Sequence, residues 1–303
     1  MRQAGAGRGL ALGTLRTIRD IWAHRELLGY LVRRELKSRY KDSALGFVWS
    51  VIRPLVMLLV YYVALGKFLG ASRGIDGFAI FIYSGLTLWT LFSEIVTAGT
   101  GSIVNNSGLI KKVYLPREIF PIASVGSALF NFAIQFGILI AATVVLSGFP
   151  TTSAWWYFPV SLLVIVVWAT ALALMLSAWN VYLRDVGYLV EVFIMVFFWA
   201  SPIVYAWSYA RDAFDEMGAH WLNEVFLANP VTVAVIGFQQ AIWAPGAAAA
   251  QVGRPAAEVN TAQFAHPDEL MLRLLVALVV GVLVLWIGQR VFARLQANFA
   301  QEL

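Results

Sequence analysis

Residues 78–99 read FAIFIYSGLTLWTLFSEIVTAG and contain a single charged side chain, Glu94. A helix needs about 20 mainly apolar residues to cross the hydrocarbon core of a bilayer, so this segment is long enough to span a membrane. Similar segments recur on both sides of it, which predicts an all-α polytopic membrane protein with six transmembrane helices. The predicted spans are 47–68, 78–99, 118–146, 156–178, 187–206 and 270–291.

The composition of the 303-residue chain agrees with lipid as its solvent. Hydrophobic residues make up 60% of the chain and charged residues 13%, and the mean hydropathy of +0.74 is too high for a soluble domain. The absence of cysteine excludes disulfides, thiolate metal ligands and a cysteine nucleophile. The three histidines, His24, His220 and His266, are far apart and form no HExxH pattern. The sequence therefore predicts neither an enzyme nor a metal or cofactor site in this chain.

Basic residues predict the orientation, because short cytoplasmic loops are enriched in Lys and Arg. Lys111, Lys112 and Arg117 lie in the second loop and Arg184 in the fourth, whereas the long fifth loop is mainly acidic. Both termini are therefore expected in the cytoplasm, with the protein in the cytoplasmic membrane. No basic stripe with interleaved aromatics follows, which argues against nucleic acid as a partner. The basic N-terminal residues are Arg2, Arg8, Arg16, Arg19, Arg25, Arg33, Arg34, Lys37, Arg39 and Lys41.

This topology divides the chain into four regions. The first holds a predicted amphipathic helix, Ile18 to Tyr40, which serves either as a membrane anchor or as a gate or docking surface. In the third region, Asn229 and Pro230 are a favourable N-cap and N1 pair and start a short apolar helix. It is too short to span the membrane, so it is expected to be a gate helix that either dips into the membrane and returns or lies flat on the outer surface. The regions are a cytoplasmic tail with the interface helix (1–46), transmembrane helices 1–5 with the loop 105–117 (47–206), an external loop with gate helices and a flexible stretch at 244–268 (207–269), and transmembrane helix 6 with the C-terminal tail (270–303).

Two predicted spans carry polar stripes at helical spacing. One contains Thr87, Thr90, Glu94 and Thr97, and the other Ser124, Ser127, Asn131 and Gln135. Such stripes either line a wet pathway or form hydrogen bonds between helices. In the fifth span, Phe193, Phe197 and Ser201 share a face whose flat rings suit sugars, although aromatic residues also gather at membrane interfaces. The channel-lining candidates are Glu94, Thr90, Asn131, Phe193, Phe197 and Ser201.

Several motifs resemble one family of permeases. RYKDSALGFVW at 39–49 and NNSGLIKKVYLPRE at 105–118 carry the likeness, which Arg184-Asp185, Ser201-Pro202-Ile203 with Tyr205, and Asn229-Pro230 continue in order. The chain resembles Wzm-like permeases of type-2 ABC exporters, with TarG-like permeases as close relatives. That class handles O-antigens, teichoic acids and mycobacterial galactan, and the likeness covers about residues 20–243 and the last span.

The resemblance implies a homodimer bound to two copies of a Wzt-like nucleotide-binding subunit, with ATP and Mg²⁺ on that subunit. It also implies a continuous channel for a lipid-linked polysaccharide, galactan being one such cargo. The second loop is short and basic and has apolar residues to fill a groove, so it is expected to dock the ATPase; an ordinary positive-inside loop is the alternative. The coupling candidates are Leu109, Ile110, Lys111, Lys112, Arg117, Arg184 and Asp185.

Two other functions compete with polysaccharide export. A related permease could carry a small drug or lipid, and a membrane-embedded glycosyltransferase or acyltransferase belongs to another class. The transferase needs converging catalytic acids or a histidine at the membrane surface, and none converges in this sequence. The sequence also has no GxxxxGK[ST] phosphate loop, so any ATP hydrolysis is expected on a separate subunit.

Overall fold

A computed structural model shows the predicted all-α fold. The structure describes residues 19–40, 48–68, 70, 74–112, 115–147, 152–255 and 259–303. Throughout these residues the chain is helical or irregular and contains no β-strand. The basic residues Arg2, Arg8, Arg16 and Lys41, most of the first motif, and residues 113–114 of the second lie outside the described residues.

Five helical segments of the described chain are long and apolar enough to cross a membrane: α2 with its π-helical extension, α3, α5, α6 with a preceding 3-10 turn, and α12. A sixth would be the pair α9 and α10, which are bent by 81°. The helices are α1 (Arg25–Tyr40), α2 (Trp49–Tyr61, continued by π-helical Tyr62–Phe68), α3 (Phe78–Asn105), α4 (Ser107–Ile110), α5 (Ile119–Ser147), α6 (Tyr157–Tyr182), α7 (Val186–Trp199), α8 (Trp207–Glu216), α9 (Trp221–Leu227), α10 (Pro230–Ile242), α11 (Ala244–Ala249), α12 (Leu270–Leu295) and α13 (Phe299–Glu302).

The fifth predicted span is shorter than the sequence pattern indicates. Of the predicted range 187–206, only the part up to Trp199 is helical, and the 14 residues of α7 extend over about 21 Å. Pro202 explains the early end, because a proline disfavours the helical conformation of the residue before it. The chain continues as a buried, non-helical segment against α3, where a Cβ on Gly85 would lie 2.7 Å from the carbonyl oxygen of Ile203.

Small residues bring α3, α6 and α12 close together at the centre of the bundle. A Cβ on Gly99 of α3 would lie 2.5 Å from the Cβ of Ala173 on α6. On the other side of α6, a Cβ on Gly288 of α12 would lie 2.8 Å from the carbonyl oxygen of Ala171. Such contacts are typical of membrane helices, in which close backbone approach replaces the hydrophobic effect as the source of packing energy.

The amphipathic helix α1 packs across the start of α5. Leu31 is buried, and a Cβ on Gly126 of α5 would lie 2.9 Å from a methyl of Val32. Trp22, in the helical turn before α1, is 71% exposed. We call this side of the molecule the α4 end, because α1, α4, the C-terminal part of α12 and α13 contribute side chains to one small hydrophobic cluster there.

The opposite end of the bundle is formed by α8 to α11. As predicted, Asn229 caps α10: its side chain accepts a hydrogen bond from the backbone N–H of Val231 at 2.9 Å, with Pro230 at the first helical position. Arg273 of α12 donates two hydrogen bonds to the carboxylate of Glu224 on α9, at 2.8 and 2.9 Å. These contacts fix the bent pair α9 and α10 against the bundle.

The described part of the stretch 244–268, which was predicted to be flexible, contains α11 and forms hydrogen bonds around Asp76, in the loop between α2 and α3. Gln251 and Gln263 donate to Oδ2 of Asp76 at 2.6 and 3.1 Å, and Arg254 donates to Oδ1 at 3.1 Å. Burial alone would raise the pKa of Asp76, but these hydrogen bonds and the positive charge of Arg254 hold it below the usual value. We call these four residues the Asp76 junction.

Candidate functional site

A groove lined by α2, α3, α5 and α7 is the candidate translocation surface. It encloses about 960 Å³, near the upper end of the range typical of ligand sites, about 300–1,000 Å³. Three predicted lining residues, Thr90, Glu94 and Asn131, lie on its wall. Arg53 of α2 also lines the groove, and a charged residue within a predicted span is a signal that the sequence analysis did not use.

Glu94 and Asn131 join the two polar stripes. The side-chain amide of Asn131 on α5 donates to Oε1 of Glu94 on α3 at 2.7 Å, and Asn131 is buried. The Oδ1 atom of Asn131 has no hydrogen-bond partner within the described part of the chain. Gln135, one turn further along α5, is also buried and lines the groove. The stripes thus connect two helices and place amide and carboxylate groups on one wall of the groove.

The hydroxyl groups of the α3 stripe are satisfied within their own helix. Thr87 donates to the carbonyl oxygen of Tyr83, and Thr90 to that of Leu86, each at 2.7 Å. Thr87 is fully buried and Thr97 is exposed, so the stripe does not form one continuous face of the groove.

Aromatic rings form another part of the groove wall. Phe198 of α7 lies 5.5 Å from Trp89 of α3 and 6.0 Å from Tyr61 of α2, measured between ring centroids. Trp49 and Trp199 also line the groove and are partly exposed. The groove thus combines flat apolar surfaces with a few polar groups, an arrangement typical of sites that bind ligands with both kinds of surface.

Phe193, Phe197 and Ser201, predicted to line the channel, are not among the residues that line the groove. Phe193 stacks on Phe197 at 4.6 Å, and Phe197 packs against Phe92 of α3 at 6.0 Å. Ser201 is fully buried, donates to the carbonyl oxygen of Phe197 and accepts a hydrogen bond from Asn229 at 3.0 Å. The α7 residues on the wall are the neighbouring i, i+4 pairs Ile194 with Phe198 and Met195 with Trp199.

At the α4 end, the predicted coupling residues fall into two groups. Lys111 and Lys112 follow the single turn of α4 and are exposed, whereas Ile110 is buried in the small hydrophobic cluster and Leu109 is half-buried. Arg117 is occupied within the chain, since it donates to the carbonyl oxygen of Gln296 and lies 5.6 Å from the ring centroid of Phe299.

Glu118 and Asn180 fix the loops at the same end. Glu118 is buried and accepts a hydrogen bond from Gln296 at 3.1 Å, and burial raises the pKa of its carboxyl group. The side-chain amide of Asn180 donates to a carbonyl oxygen of α3 at 3.1 Å, and its Oδ1 accepts from the N–H of Gly187 at 3.2 Å. Arg184 and Asp185, in the intervening turn, are exposed. The two candidate coupling loops are thus held at one end of the bundle.

The chain also matches the family described as ABC-2 type transporter over residues 26–243, from α1 to the residue after α10. The matched region contains the whole groove and both loops of the α4 end. This chain belongs to the ABC-2 type transporter family. It is therefore a multi-pass membrane protein of the transporter class.

Named relatives of this ABC-2 family chain are permeases of polysaccharide export systems. The O-antigen export system permease protein RfbA of Myxococcus xanthus is 28% identical over 292 residues, which cover 95% of this chain and all of the relative. A protein of the same name from Klebsiella pneumoniae is 26% identical over 71% of this chain and 79% of the relative. The capsule polysaccharide export inner-membrane protein CtrC of Neisseria meningitidis serogroup B is 37% identical over 28% of this chain and 32% of the relative.

Proposed function

We propose that this chain is the permease subunit of an ATP-driven exporter that moves a lipid-linked polysaccharide across the cytoplasmic membrane. The observation that carries the proposal is the similarity to an O-antigen export permease along nearly the whole chain. The groove supports it, because its partly exposed aromatic rings and the Glu94–Asn131 pair suit a ligand with apolar C–H faces and hydroxyl edges.

A second copy of the chain completes the channel in this proposal. Helix α2 and its π-helical extension form one wall of the groove, yet Gly66 is the only residue of Trp49–Phe68 that is buried within the described part of the chain. A homodimer would cover part of this exposed apolar surface and enclose the groove between two subunits. The groove, rather than the residues Phe193, Phe197 and Ser201, then forms the main lining of the pathway.

Energy would come from two copies of a Wzt-like ATPase subunit bound at the α4 end, which would carry ATP and Mg²⁺. The exposed Lys111 and Lys112, with Arg184 and Asp185 on the neighbouring turn, provide a charged surface for that partner. Positive charge in these loops also supports a cytoplasmic position for the α4 end and for both termini. Closure of the ATPase dimer would then push on α4 and α1 and shift the helices between two arrangements.

Depletion of the chain in its own cell tests the cargo. A lipid-linked glycan should accumulate on the cytoplasmic side, and re-expression of the chain should restore its export. An unchanged glycan pool combined with loss of resistance to a drug would favour the small-molecule cargo instead.

Reconstitution tests the source of energy. The purified chain in nanodiscs should show no ATP hydrolysis above background. Hydrolysis should appear when the ATPase subunit is added. A proton gradient that drives export without any ATPase would contradict the proposed mechanism.

A further inference from the structure

Helix α12 ends at the α4 end, where two other elements of the chain meet it. The last four carbonyl groups of an α-helix have no partners within the helix and need donors from elsewhere. The hydroxyl group of Tyr182, the last residue of α6, donates to the carbonyl oxygen of Leu295 at 2.7 Å. Arg117, two residues before α5, donates to the carbonyl oxygen of Gln296, the C-cap residue of α12. Side chains from α6 and from the second loop thus cap the end of α12.

The charge of Arg117 strengthens this cap. A cation at the C-terminal end of a helix is favoured by the helix macrodipole. The guanidinium group also lies over the ring of Phe299, 5.6 Å from its centroid, where the face of an aromatic ring attracts a cation. Phe299 is fully buried and meets Phe292 of α12 edge to face at 5.5 Å and Tyr182 at 6.2 Å. Arg117 is therefore held by a ring that packs on both α12 and α6.

A further hydrogen bond fixes the residue next to Arg117. The side-chain amide of Gln296 donates to Oε1 of Glu118 at 3.1 Å, and Glu118 is buried. The two residues that precede α5 are therefore both bound to Gln296, one through its carbonyl oxygen and the other through its side chain. We call Arg117, Glu118, Tyr182, Gln296 and Phe299 the α12 clasp.

The α12 clasp connects the second loop to the interior of the bundle. Lys111 and Lys112, the exposed residues proposed to meet the ATPase, lie in the same loop as Arg117. Ile110, just before them, is buried in the same hydrophobic cluster as Phe299. Helix α12 in turn packs closely on α6. Because the loop is fixed to buried side chains both before and after its exposed lysines, its displacement would move the ends of α5, α6 and α12 together.

We propose that the α12 clasp transmits movement of the second loop to α12. Arg117, Gln296 and Phe299 are then positioning residues that act within the chain, whereas Lys111 and Lys112 contact the ATPase. This inference rests on the proposed function, because it requires an ATPase that moves the loop. Without the clasp, the loop would move without α12, so ATP hydrolysis would continue while export is lost.

Hydrogen–deuterium exchange of the purified full-length chain in nanodiscs tests the clasp without an ATPase. Arg117→Gln should raise exchange about tenfold in peptides that cover residues 105–112 and 296–303, the change expected for loss of one hydrogen bond from a charged group. Arg294→Gln is the matched control, since Arg294 is an exposed residue in the last turn of α12 and makes none of the contacts of the clasp. Tyr182→Phe removes only the hydroxyl group that caps α12 and keeps the ring, so it should raise exchange at 296–303 by a smaller factor.

The Tyr182 variant keeps the test usable if Arg117→Gln does not fold. Exchange that equals wild type in both variants would overturn the proposal, because the contacts would then hold neither segment in place. An equal rise in the Arg294 control would also overturn it, since loss of positive charge at the end of α12 would then explain the result.

Re-expression of the same variants in the depleted cell, with purification of their complexes, tests the transmission of movement. At wild-type abundance in the membrane, Arg117→Gln should co-purify with the ATPase subunit and support ATP hydrolysis at the wild-type rate, but should not restore export of the glycan. Arg294→Gln should restore it. Restored export by Arg117→Gln would overturn the proposal, and loss of the ATPase with unchanged exchange would assign Arg117 to the docking surface instead. Failure of the wild-type chain to support ATP-driven export would refute the proposed function and the transmission with it, whereas the exchange results would still decide whether the clasp holds the loop.

Discussion

Replacing Asp76 by Asn should release the external segment from the loop between α2 and α3. In the native junction, Oδ2 accepts from both Gln251 and Gln263, and Oδ1 accepts from Arg254. An Asn amide in either orientation places an N–H donor against one of these donor groups. The substitution therefore removes at least one hydrogen bond to a charged acceptor and leaves its former donor facing another donor.

The expected cost of local opening is about 2 kcal/mol, the middle of the range for hydrogen bonds to charged groups, about 1.5–3 kcal/mol. The ion pair with Arg254 adds little, because the Arg254 side chain is 36% exposed and solvent screens the pair. A change of 2 kcal/mol corresponds to an opening equilibrium about 30-fold larger. Hydrogen–deuterium exchange should show this increase in peptides that cover residues 74–78 and 259–264.

Asp212→Asn is the matched control, since its carboxylate is more exposed and pairs only with the adjacent Arg211 among the described residues. It removes the same charge from the same end of the molecule and should leave exchange at both peptides unchanged. Exchange in Asp76→Asn that equals wild type in both peptides would refute the inference that Asp76 holds the two segments together. An equal increase in the control would show that net charge, rather than the junction, is responsible.

Three further predictions address the groove, the α4 end and pH. Glu94→Gln should fold, because its partner Asn131 can still donate to the amide oxygen, but should export glycan more slowly; wild-type export would leave Glu94 a packing role. Ile110→Asp should lower the thermal stability of the isolated chain, because it buries a carboxylate. The double variant Lys111→Glu, Lys112→Glu should keep the stability of the isolated chain but weaken its co-purification with the ATPase subunit. Retained stoichiometric binding of the ATPase by the double variant would count against docking at this loop. The pKa of Asp76 in the folded protein is below its usual value of 3.8. The ionised Asp76 carboxylate therefore contributes its full stabilisation above pH 3.8, and this contribution is lost as the pH falls through the pKa of the folded state. Melting curves of wild type and Asp76→Asn should therefore converge only in acid, below pH 3.8, and convergence near neutral pH would contradict the assignment.

The sequence predicts local features of this fold better than contacts between distant segments. Hydrophobic length located five of the spans, and the Asn229 cap predicted the start of α10 correctly, because both signals are contained within one helix. The polar stripe around Glu94 was also visible, but its partner on α5 was not, since helical spacing defines a face and not the helix that it meets.

Two features, the Asp76 junction and the groove-lining face of α7, could not be predicted from the sequence for related reasons. Asp76 bonds to residues 175 to 187 positions away, so nothing in its local sequence distinguishes it from an ordinary loop aspartate. In α7, the faces of Phe193 with Phe197 and of Ile194 with Phe198 are about 100° apart and similarly apolar. Only the packing of α7 on α3 determines which face meets the groove.

The close contacts of Gly99 and Gly288 hold α3, α6 and α12 together. A methyl group would already clash at either position, so sliding any of these helices past its neighbour would disrupt a tightly fitted surface. Helix α2 has the opposite character, because none of its residues is buried within the described part of its own chain. In the proposed exporter, an outward swing of α2 would therefore widen the groove for a bulky polymer while the contacts of Gly99 and Gly288 remain intact.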